Sequence, residues 1–187
     1  MNMMKHVLVL GAGLVSRPLV RYLLEQPHIY VTIASRTLSK AQALLEGCSN
    51  GRAIALDAGD ISAMEEAISA CDLVISLLPY VYHAAVARLC VAYRKHLVTT
   101  SYVQAAMREL DAPAREAGVL LLNEIGLDPG IDHMLAMRFI HAVQREGGQM
   151  TSFLSYFSGL PAPKANTNPL GYKFCWSPRG VLLATRN

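Results

Sequence analysis

Three small residues, Gly11, Gly13 and Ser16, follow a short apolar run and precede a segment with helical spacing. In a dinucleotide-binding unit, the first glycine permits a tight turn and the second lets the backbone approach a pyrophosphate. The phosphates then face the amides at the positive end of the helix. Glycine or alanine is usual at the third position, and serine is small enough for the same close packing. The spacing therefore predicts a dinucleotide site, with a purely structural turn as the alternative.

The residues after the second predicted strand indicate which dinucleotide is bound. An acidic residue is common there in sites for NAD, because it accepts a hydrogen bond from the ribose 2′-hydroxyl. This sequence has Ser35, Arg36 and Thr37 instead, so no carboxylate would repel a 2′-phosphate. The Arg36 guanidinium can pair with that phosphate through two hydrogen bonds, and both hydroxyls can donate to it. We therefore expect NADP(H), the alternative being an arginine on a solvent-facing turn.

Further candidate residues follow the later strands. Asp57 is placed to contact the adenine end of a dinucleotide, and Leu78 can line the nicotinamide path, although both also suit a loop without function. Ser101 and Tyr102 follow the fifth strand, and Asp128 lies in the loop after the sixth. Ligands bind outside the carboxyl ends of parallel strands, so these three fall on the cofactor edge. Tyr102 can relay a proton, and Asp128 can bind an ammonium group or act as acid or base. A packed tyrosine and an aspartate–proline turn are the alternatives.

The elements that must position these residues alternate between strand and helix. Strands are predicted over residues 6–10, 29–34, 53–56, 73–77, 96–100 and 119–123. Helices are predicted over 14–24, from a cap at Ser39 to about 46, from a cap at Asp60 or Ser62 to about 70, and over 82–94 and 105–117. This alternation predicts an α/β protein with a Rossmann-type, doubly wound parallel sheet covered on both faces.

A different pattern begins after Glu124. The loop 126–130 is followed by a helix over 131–145, a strand over 150–157 with one polar face, and a proline-rich loop over 159–178. Residues 181–185 look like the start of another element. We therefore expect one domain over residues 1–124 and the beginning of a second, incomplete domain over 125–187.

Composition narrows the class of protein. The chain has 187 residues, 52% of them hydrophobic and 17% charged, so we do not expect intrinsic disorder. A formal net charge of +3 without a basic run argues against nucleic-acid binding. The four cysteines lack the spacing of a zinc site, so we expect reduced thiols and no metal. The apolar run at 7–15 is interrupted by glycines and is too short for a membrane span, so we expect a cytoplasmic protein.

Several stretches resemble the saccharopine reductase family, the NADP+-linked, L-glutamate-forming saccharopine dehydrogenases. They are GAGLV at 11–15, SRT at 35–37, SLLP at 76–79, TSY at 100–102, NEIGLDPGIDH at 123–133, GLPAP at 159–163, NPLGYKF at 168–174 and WSPRG at 176–180. The resemblance covers essentially the whole chain. The stretches 126–133 and 159–163 are far more specific than the glycine turn.

The resemblance implies an oxidoreductase of lysine metabolism that interconverts saccharopine with 2-aminoadipate 6-semialdehyde and L-glutamate, by hydride transfer to or from an imine. It also implies a mixed α/β second domain that closes over the substrate and forms a homodimer. Substrate contacts would fall on Ser101, Tyr102 and Asp128. Cofactor contacts would fall on residues at the strand ends, namely Gly13, Leu14, Val15, Ser35, Arg36, Thr37, Asp57 and Leu78, and near Thr100, Ser101, Leu127 and Asp128.

Three features depart from the family pattern. The second domain is much longer in the family, Phe157 stands where fungal members are expected to have a cysteine, and Lys164 stands where an acid is expected. Two alternatives therefore stay open. One is a truncated, non-catalytic NADP-binding module, in which case the chain alone would bind NADPH without family-like turnover. The other is a related dehydrogenase acting on another imine derived from an amino acid or polyamine.

Overall fold

The structure, a computed structural model, describes residues 4–156 and 159–173. The chain divides into two compact units, Met1–Arg138 and Phe139–Asn187. The described part of the first unit contains the strands β1 (Lys5–Leu10), β2 (Ile29–Ser35), β3 (Gly51–Ala55), β4 (Leu73–Ser76), β5 (His96–Thr99) and β6 (Leu121–Leu122). The helices that alternate with them are α1 (Ser16–Leu24), α2 (Leu38–Leu45), α3 (Ile61–Ser69), α4 (His83–Ala92), α5 (Ala105–Arg108) and α6 (Asp111–Ala117).

The strands form one parallel sheet in the order β3-β2-β1-β4-β5-β6. This is the strand order of doubly wound dinucleotide-binding folds, and it confirms the predicted fold class. Leu10 of β1 lies opposite Ala34 of β2 and Ser76 of β4, and Ser76 lies opposite Thr99 of β5. The carboxyl ends of four strands are therefore level along one edge of the sheet, which is where the candidate residues follow.

Alternate residues of β1 enter two separate hydrophobic cores. Leu8 and Leu10 pack with residues of α3 and α4 on one face of the sheet. Val7 and Val9 pack with residues of α1 and α2 on the other face. Burial on both faces explains why β1 is a continuous apolar run rather than an alternating one.

Some predicted boundaries need correction. The helix predicted over 105–117 is two helices, α5 and α6. Pro113 causes the break, because it has no amide to donate to the Glu109 carbonyl and its ring would clash with that group in a continuous helix. The helix predicted over 82–94 begins at His83, after a 3-10 turn at Tyr80–Tyr82. The sixth strand is reduced to two residues, which pair with β5 alone.

The helix caps differ between α2 and α3. The N-cap of α2 is Thr37 rather than the expected Ser39, and its side chain makes no capping hydrogen bond. The N-cap of α3 is Asp60, one of the two expected caps, and its Oδ1 accepts from the Ala63 amide at 3.1 Å. The Thr37 hydroxyl is therefore not used within its own helix.

Helix α7 (Ile131–Arg145) has the bounds predicted from the sequence. The strand predicted over 150–157 is wrong over its described part, since residues 150–156 form no strand. An alternating apolar pattern becomes a strand when another strand supplies hydrogen bonds, and the described residues offer it no such partner. The described part of the proline-rich loop contains a 3-10 turn at Pro163–Ala165. Phe157 and the element expected at 181–185 lie outside the described residues.

Cys48, Cys71 and Cys90 are free thiols. Burial raises the pKa of Cys71 to about 11 and that of Cys90 to about 12, so both are protonated at neutral pH. The described residues contain no group of three or more side chains arranged to hold a metal ion. No helix among them has the length and apolar character needed to cross a bilayer.

Candidate active site

The turn between β1 and α1 depends on Gly11. Its φ of 110° lies in a region that L-residues rarely adopt, and a Cβ there would lie 3.2 Å from the Leu77 carbonyl oxygen. The Gly11 amide donates to the Ala34 carbonyl at 2.8 Å, which ties the turn to β2. Gly13 is exposed, and a Cβ on it would meet nothing within 4 Å. The first glycine is therefore required by the protein, whereas the second leaves its backbone open to a ligand.

Ser16 closes this turn from inside. It is fully buried, its Oγ donates to the Gly11 carbonyl at 3.0 Å, and the same oxygen accepts from the Gly13 amide at 3.0 Å. A serine at the third position of the motif is thus compatible with a packed turn. The next residues outward, Leu14 and Val15, are 98% and 72% exposed.

The end of β2 presents a cation and hydroxyls to solvent. Arg36 and Thr37 are exposed, and Ser35 is half-buried with its Oγ accepting from the Thr37 amide at 3.3 Å. Arg36 forms no ion pair with any described residue. The Arg36 guanidinium and the neighbouring Thr37 hydroxyl, which makes no capping hydrogen bond, can both donate to the oxygens of a phosphate group. Together with the open face of Gly13, this arrangement fits a dinucleotide that carries a 2′-phosphate.

Asp57 and Leu78 occupy the loops after β3 and β4. Asp57 is exposed, and its Oδ1 accepts from the Gly59 amide at 2.8 Å, so it already stabilises its own turn. Leu78 is half-buried and packs against the core that contains Leu8 and Leu10. Both positions suit contact with a cofactor, and both have a structural role as well.

Tyr102 and Asp128 are brought together although 26 residues separate them. The Tyr102 hydroxyl donates to Asp128 Oδ1 at 3.0 Å, and both residues are exposed. Partial burial, then the hydrogen bond and charge of Asp128, raise the pKa of Tyr102 above its usual value. The phenol is therefore protonated at neutral pH and acts as a hydrogen-bond donor.

The loop after β6 positions Asp128 through backbone hydrogen bonds. The Glu124 amide donates to the Ser101 carbonyl at 3.2 Å, and Glu124 Oε1 accepts from the Val103 amide at 3.0 Å. The Gly126 amide donates to the Pro129 carbonyl at 2.8 Å, which closes the loop around Asp128. These bonds join the loop to the segment that carries Tyr102.

Two further residues predicted to contact the cofactor are Leu127, which lies on this loop, and Thr100, which lies beside it. A Cβ on Gly126 would lie 3.2 Å from Cβ of the half-buried Thr100, so the two segments pack closely at this point. Leu127 is 63% exposed. Leu127 and Asp128 are therefore exposed to solvent, and the backbone next to them is held by close packing of Gly126 against Thr100.

A small pocket adjoins Tyr102 at the carboxyl ends of β4 and β5, and its lining includes Tyr80, His83, Thr99, Ser101, Tyr102 and Asn123. The Ser101 hydroxyl lies 3.1 Å from Nε2 of His83. Thr99 Oγ1 lies 2.9 Å from Nδ1 of the same ring. The pocket is thus polar on the side where the Ser101 hydroxyl enters.

Sequence reasoning did not identify His83 as part of this site. It is the first residue of α4, and it is buried with 4% of its surface exposed. Burial lowers the pKa of His83 below its usual value, and a hydrogen bond with the backbone of Leu78 opposes that shift. A histidine seven residues after the end of the buried strand β4 was the available signal, but nothing local indicates which residue it contacts.

The candidate residues form two groups along the edge of the sheet. Arg36 follows β2, whereas Tyr102 follows β5, with β1 and β4 between them. At the usual spacing of neighbouring strands, these ends are about 14 Å apart. The glycine turn lies between them. The arrangement suits an elongated ligand with a phosphate at the Arg36 end and a reacting group at the Tyr102 end.

Two family models match consecutive parts of this chain. Residues 7–122 match the family model described as the saccharopine dehydrogenase NADP binding domain, and residues 126–187 match the saccharopine dehydrogenase C-terminal domain. The chain is 52% identical to saccharopine dehydrogenase [NADP(+), L-glutamate-forming] of Schizosaccharomyces pombe, over 98% of this chain and 41% of that protein. It is 44% identical to mitochondrial alpha-aminoadipic semialdehyde synthase of Mus musculus, over 98% of this chain and 20% of that protein.

A solved structure gives the same result. The apo histidine-tagged saccharopine dehydrogenase (L-Glu forming) from Saccharomyces cerevisiae superposes with a TM-score of 0.84 at 50% identity, covering 98% of this chain and 41% of the other. The chain therefore spans about two fifths of the length of these fungal relatives. Because the NADP-binding model matches more than half of its residues, the chain belongs to the saccharopine dehydrogenase family.

Proposed function

We propose that the protein is an NADP-dependent oxidoreductase that interconverts saccharopine with 2-aminoadipate 6-semialdehyde and L-glutamate. The observation that carries this proposal is the hydrogen bond from the Tyr102 hydroxyl to Asp128, beside the Ser101 pocket. Relatives at about 50% identity are named for this reaction, which supports the same substrate class here. In the reductive direction, the semialdehyde and glutamate condense to an imine with loss of water, and the imine is reduced to saccharopine.

The cofactor would be held along the carboxyl edge of the sheet. The open backbone at Gly13, with Leu14 and Val15 after it, would face the pyrophosphate. Ser35, Arg36 and Thr37 would bind the 2′-phosphate, and Asp57 and Leu78 would line the path between the two ends. Thr100, Ser101 and Leu127 would border the nicotinamide. When bound, NADPH supplies the hydride for reduction of the imine.

The protein's own residues would bind the substrate and provide a proton. The Asp128 carboxylate can bind an ammonium group and also accepts the Tyr102 hydrogen bond, which fixes the direction of the phenol. The imine nitrogen must gain a proton as the carbon gains hydride, and a protonated Tyr102 can deliver or relay it. The Ser101 hydroxyl would bind a polar group of the substrate in the pocket. We infer that these residues contribute to catalysis mainly by orienting the imine.

The organisation of the complete protein is part of the proposal. We place the end of the cofactor domain at residue 124, followed from 125 by part of a mixed α/β domain that binds substrate. The change of sequence pattern after Glu124 supports this boundary, and the two family models meet between residues 122 and 126. We also propose a cytoplasmic homodimer, because the family resemblance implies a dimer and the described cysteines are free thiols, as is usual in a reducing compartment.

The test is to titrate the protein that carries this sequence with NADPH and with NADH, and then to follow saccharopine-dependent reduction of NADP+ at 340 nm. We expect NADPH to bind more tightly than NADH, and saccharopine to be oxidised only with NADP+. NADPH binding without turnover of saccharopine would favour a non-catalytic module. Turnover of a different secondary amine, such as a polyamine conjugate, would indicate a related dehydrogenase with another substrate.

A further inference from the structure

A group of buried polar side chains adjoins the pocket that Ser101 and Tyr102 line. His83, Thr99 and Ser76 are each at most 4% exposed, and Thr99 lies opposite Ser76 in the register of β5 and β4. Buried polar groups cost free energy unless they are hydrogen-bonded, so an imidazole here needs a reason beyond filling space. No described acidic residue forms an ion pair with His83.

Two hydroxyls contact the His83 ring, and only one of them contacts both of its nitrogens. Ser101 Oγ lies 3.1 Å from Nε2, whereas Thr99 Oγ1 lies 2.9 Å from Nδ1 and 3.3 Å from Nε2. Both residues line the pocket beside Tyr102, but Thr99 is 1% exposed whereas Ser101 is only half-buried. The ring therefore connects a fixed internal group with a group that can touch a ligand.

The protonation state of the ring determines which of its nitrogens donates a hydrogen bond and which accepts one. Burial lowers the pKa of His83, so the ring is neutral at neutral pH. A neutral imidazole has one donor nitrogen and one acceptor nitrogen. Whichever tautomer is present, Nε2 determines whether the Ser101 hydroxyl donates or accepts toward His83, and so which capacity remains for a ligand.

We propose that His83 is a positioning residue that holds the Ser101 hydroxyl in one orientation for binding the polar groups of the substrate. The inference rests on the proposed function, because it assigns Ser101 to the substrate. His83 also lines the pocket, but it is only 4% exposed, so we assign the polar contact with the substrate to the half-buried Ser101. The alternative is that His83 serves only to bond to Thr99 and to the Leu78 backbone, and so to join α4 to the sheet.

Two substitutions separate these roles, because each places an amide at only one of the two nitrogen positions, and only the Nε2 position reaches Ser101. In His83→Gln the side-chain amide can reach the place of Nε2 and bond to Ser101. In His83→Asn the shorter amide can reach the place of Nδ1 and bond to Thr99. We expect His83→Asn to raise the KM for saccharopine about tenfold, the effect of one lost hydrogen bond. His83→Gln should stay within about threefold of wild type, and both variants should keep the wild-type Kd for NADPH.

Ser101→Ala tests whether His83 acts through Ser101. Residues that act as a unit have non-additive effects, so His83→Asn combined with Ser101→Ala should be no worse than Ser101→Ala alone. A structural role predicts the reverse ranking, with His83→Asn close to wild type and His83→Gln impaired. That ranking, or additive effects in the double variant, would overturn the inference while leaving the proposed function intact.

A spectroscopic measurement covers the case in which His83→Asn does not fold. Imidazole ¹⁵N resonances of the wild-type protein are recorded while saccharopine is added in the presence of NADPH, with which saccharopine cannot be oxidised. We expect the Nε2 resonance of His83 to shift, and the shift to be absent in Ser101→Ala. An unchanged resonance at saturating saccharopine would contradict the inference. If wild type neither binds nor oxidises saccharopine, the proposed function fails and the inference fails with it.

Discussion

At the scale of single residues, the two ends of the candidate site differ in how their polar groups are partnered. Arg36 has no ion-pair partner among the described residues, whereas Tyr102 and Asp128 are partners of each other. A group without a protein partner can bind a ligand without breaking an existing bond. Substitution of Arg36 should therefore affect ligand binding and leave stability nearly unchanged. Substitution of Tyr102 or Asp128 also removes the hydrogen bond of the other residue.

The first prediction concerns Arg36→Ala. Loss of a charge-assisted pair with the 2′-phosphate should cost about 1.5–3 kcal/mol, or roughly 10- to 150-fold in affinity for NADPH. Affinity for NADH should not change, because NADH lacks that phosphate. Fluorescence titration with both nucleotides measures the effect. Arg115→Ala is the control, since Arg115 is exposed on α6 and bonds to Asp111. Equal affinities of wild type for NADPH and NADH would contradict the assignment of Arg36.

The second prediction concerns Tyr102→Phe and Asp128→Asn. Each should lower saccharopine turnover by at least about 100-fold, the lower end of the usual contribution of a proton-transfer group, with NADPH binding within a few-fold of wild type. The double variant should be about as slow as the slower single variant, because the two side chains act through one hydrogen bond. Tyr22→Phe is the control, since Tyr22 is 63% exposed on α1. Wild-type turnover in both single variants would show that the pair is structural.

The same pair permits a test without catalysis. Partial burial comes first among the causes of the raised pKa of Tyr102, followed by the hydrogen bond and charge of Asp128. Asp128→Asn removes the charge, so the pKa of Tyr102 should fall while remaining above its usual value. Tyrosine ¹³Cζ resonances recorded between pH 8 and pH 12 report this change. An unchanged titration of Tyr102 would mean that Asp128 does not contact the phenol in solution.

At the scale of elements, the turn from β1 to α1 separates a glycine needed for folding from one open to a ligand. Gly11 has a positive φ and lies against the Leu77 carbonyl, whereas Gly13 has open space on the side of a Cβ. Ser16 at the start of α1 bonds to both. One short element therefore contains a matched pair of positions at which the same substitution should have different effects.

The third prediction compares Gly11→Ala with Gly13→Ala. The first should lower the free energy of unfolding by about 1–3 kcal/mol, because alanine is strained at that φ and approaches the Leu77 carbonyl. The second should leave stability unchanged or raise it by up to about 1 kcal/mol. Its methyl group should weaken NADPH binding by at least about tenfold, because it occupies the approach of the pyrophosphate. Urea unfolding and NADPH titration of both variants measure these effects. Unimpaired NADPH binding by Gly13→Ala would place the pyrophosphate elsewhere.

At the scale of the whole molecule, the parallel sheet brings residues from distant parts of the chain to one edge. The level carboxyl ends of β2, β1, β4 and β5 set the distance between the Arg36 end and the Tyr102 end. The same edge contains the buried His83, whose ring is kept neutral by the fold. Burial of a titratable group in the folded state makes the stability of the entire molecule depend on pH.

The fourth prediction follows from the lowered pKa of His83. Above pH 6.5, the ordinary pKa of histidine, the ring is neutral in both the folded and unfolded chains, so it adds no pH dependence. As pH falls below 6.5, the unfolded chain binds a proton that the folded protein does not, and stability is lost until the folded pKa is reached. Wild type should therefore lose more unfolding free energy between pH 7 and pH 5 than His83→Gln. Urea unfolding at both pH values measures the difference, and parallel losses would contradict the burial of a neutral ring.

The sequence by itself determined the features that depend on neighbours within a few residues. The continuous apolar run of β1, the glycine turn and the bounds of α7 follow from side-chain periodicity and from turn-forming residues, and the structure has all three. The alternation of strand and helix was enough to predict the fold class and to place Arg36 and Tyr102 on the same edge of the sheet. Pro113, the third residue of α6, prevents α5 and α6 from joining, but the helical spacing of both segments concealed the break between them.

Tertiary structure alone decided which of those residues touch. The Tyr102–Asp128 hydrogen bond spans 26 residues and the His83–Ser101 contact spans 18, so neither leaves a periodic signal in the sequence. Both depend on the register of the strands, and the Tyr102–Asp128 bond depends also on the path of the loop after β6, which are set by packing across the whole sheet. The alternating segment at 150–156 shows the converse, because its pattern favours a strand but its structure depends on a partner strand that local sequence cannot specify.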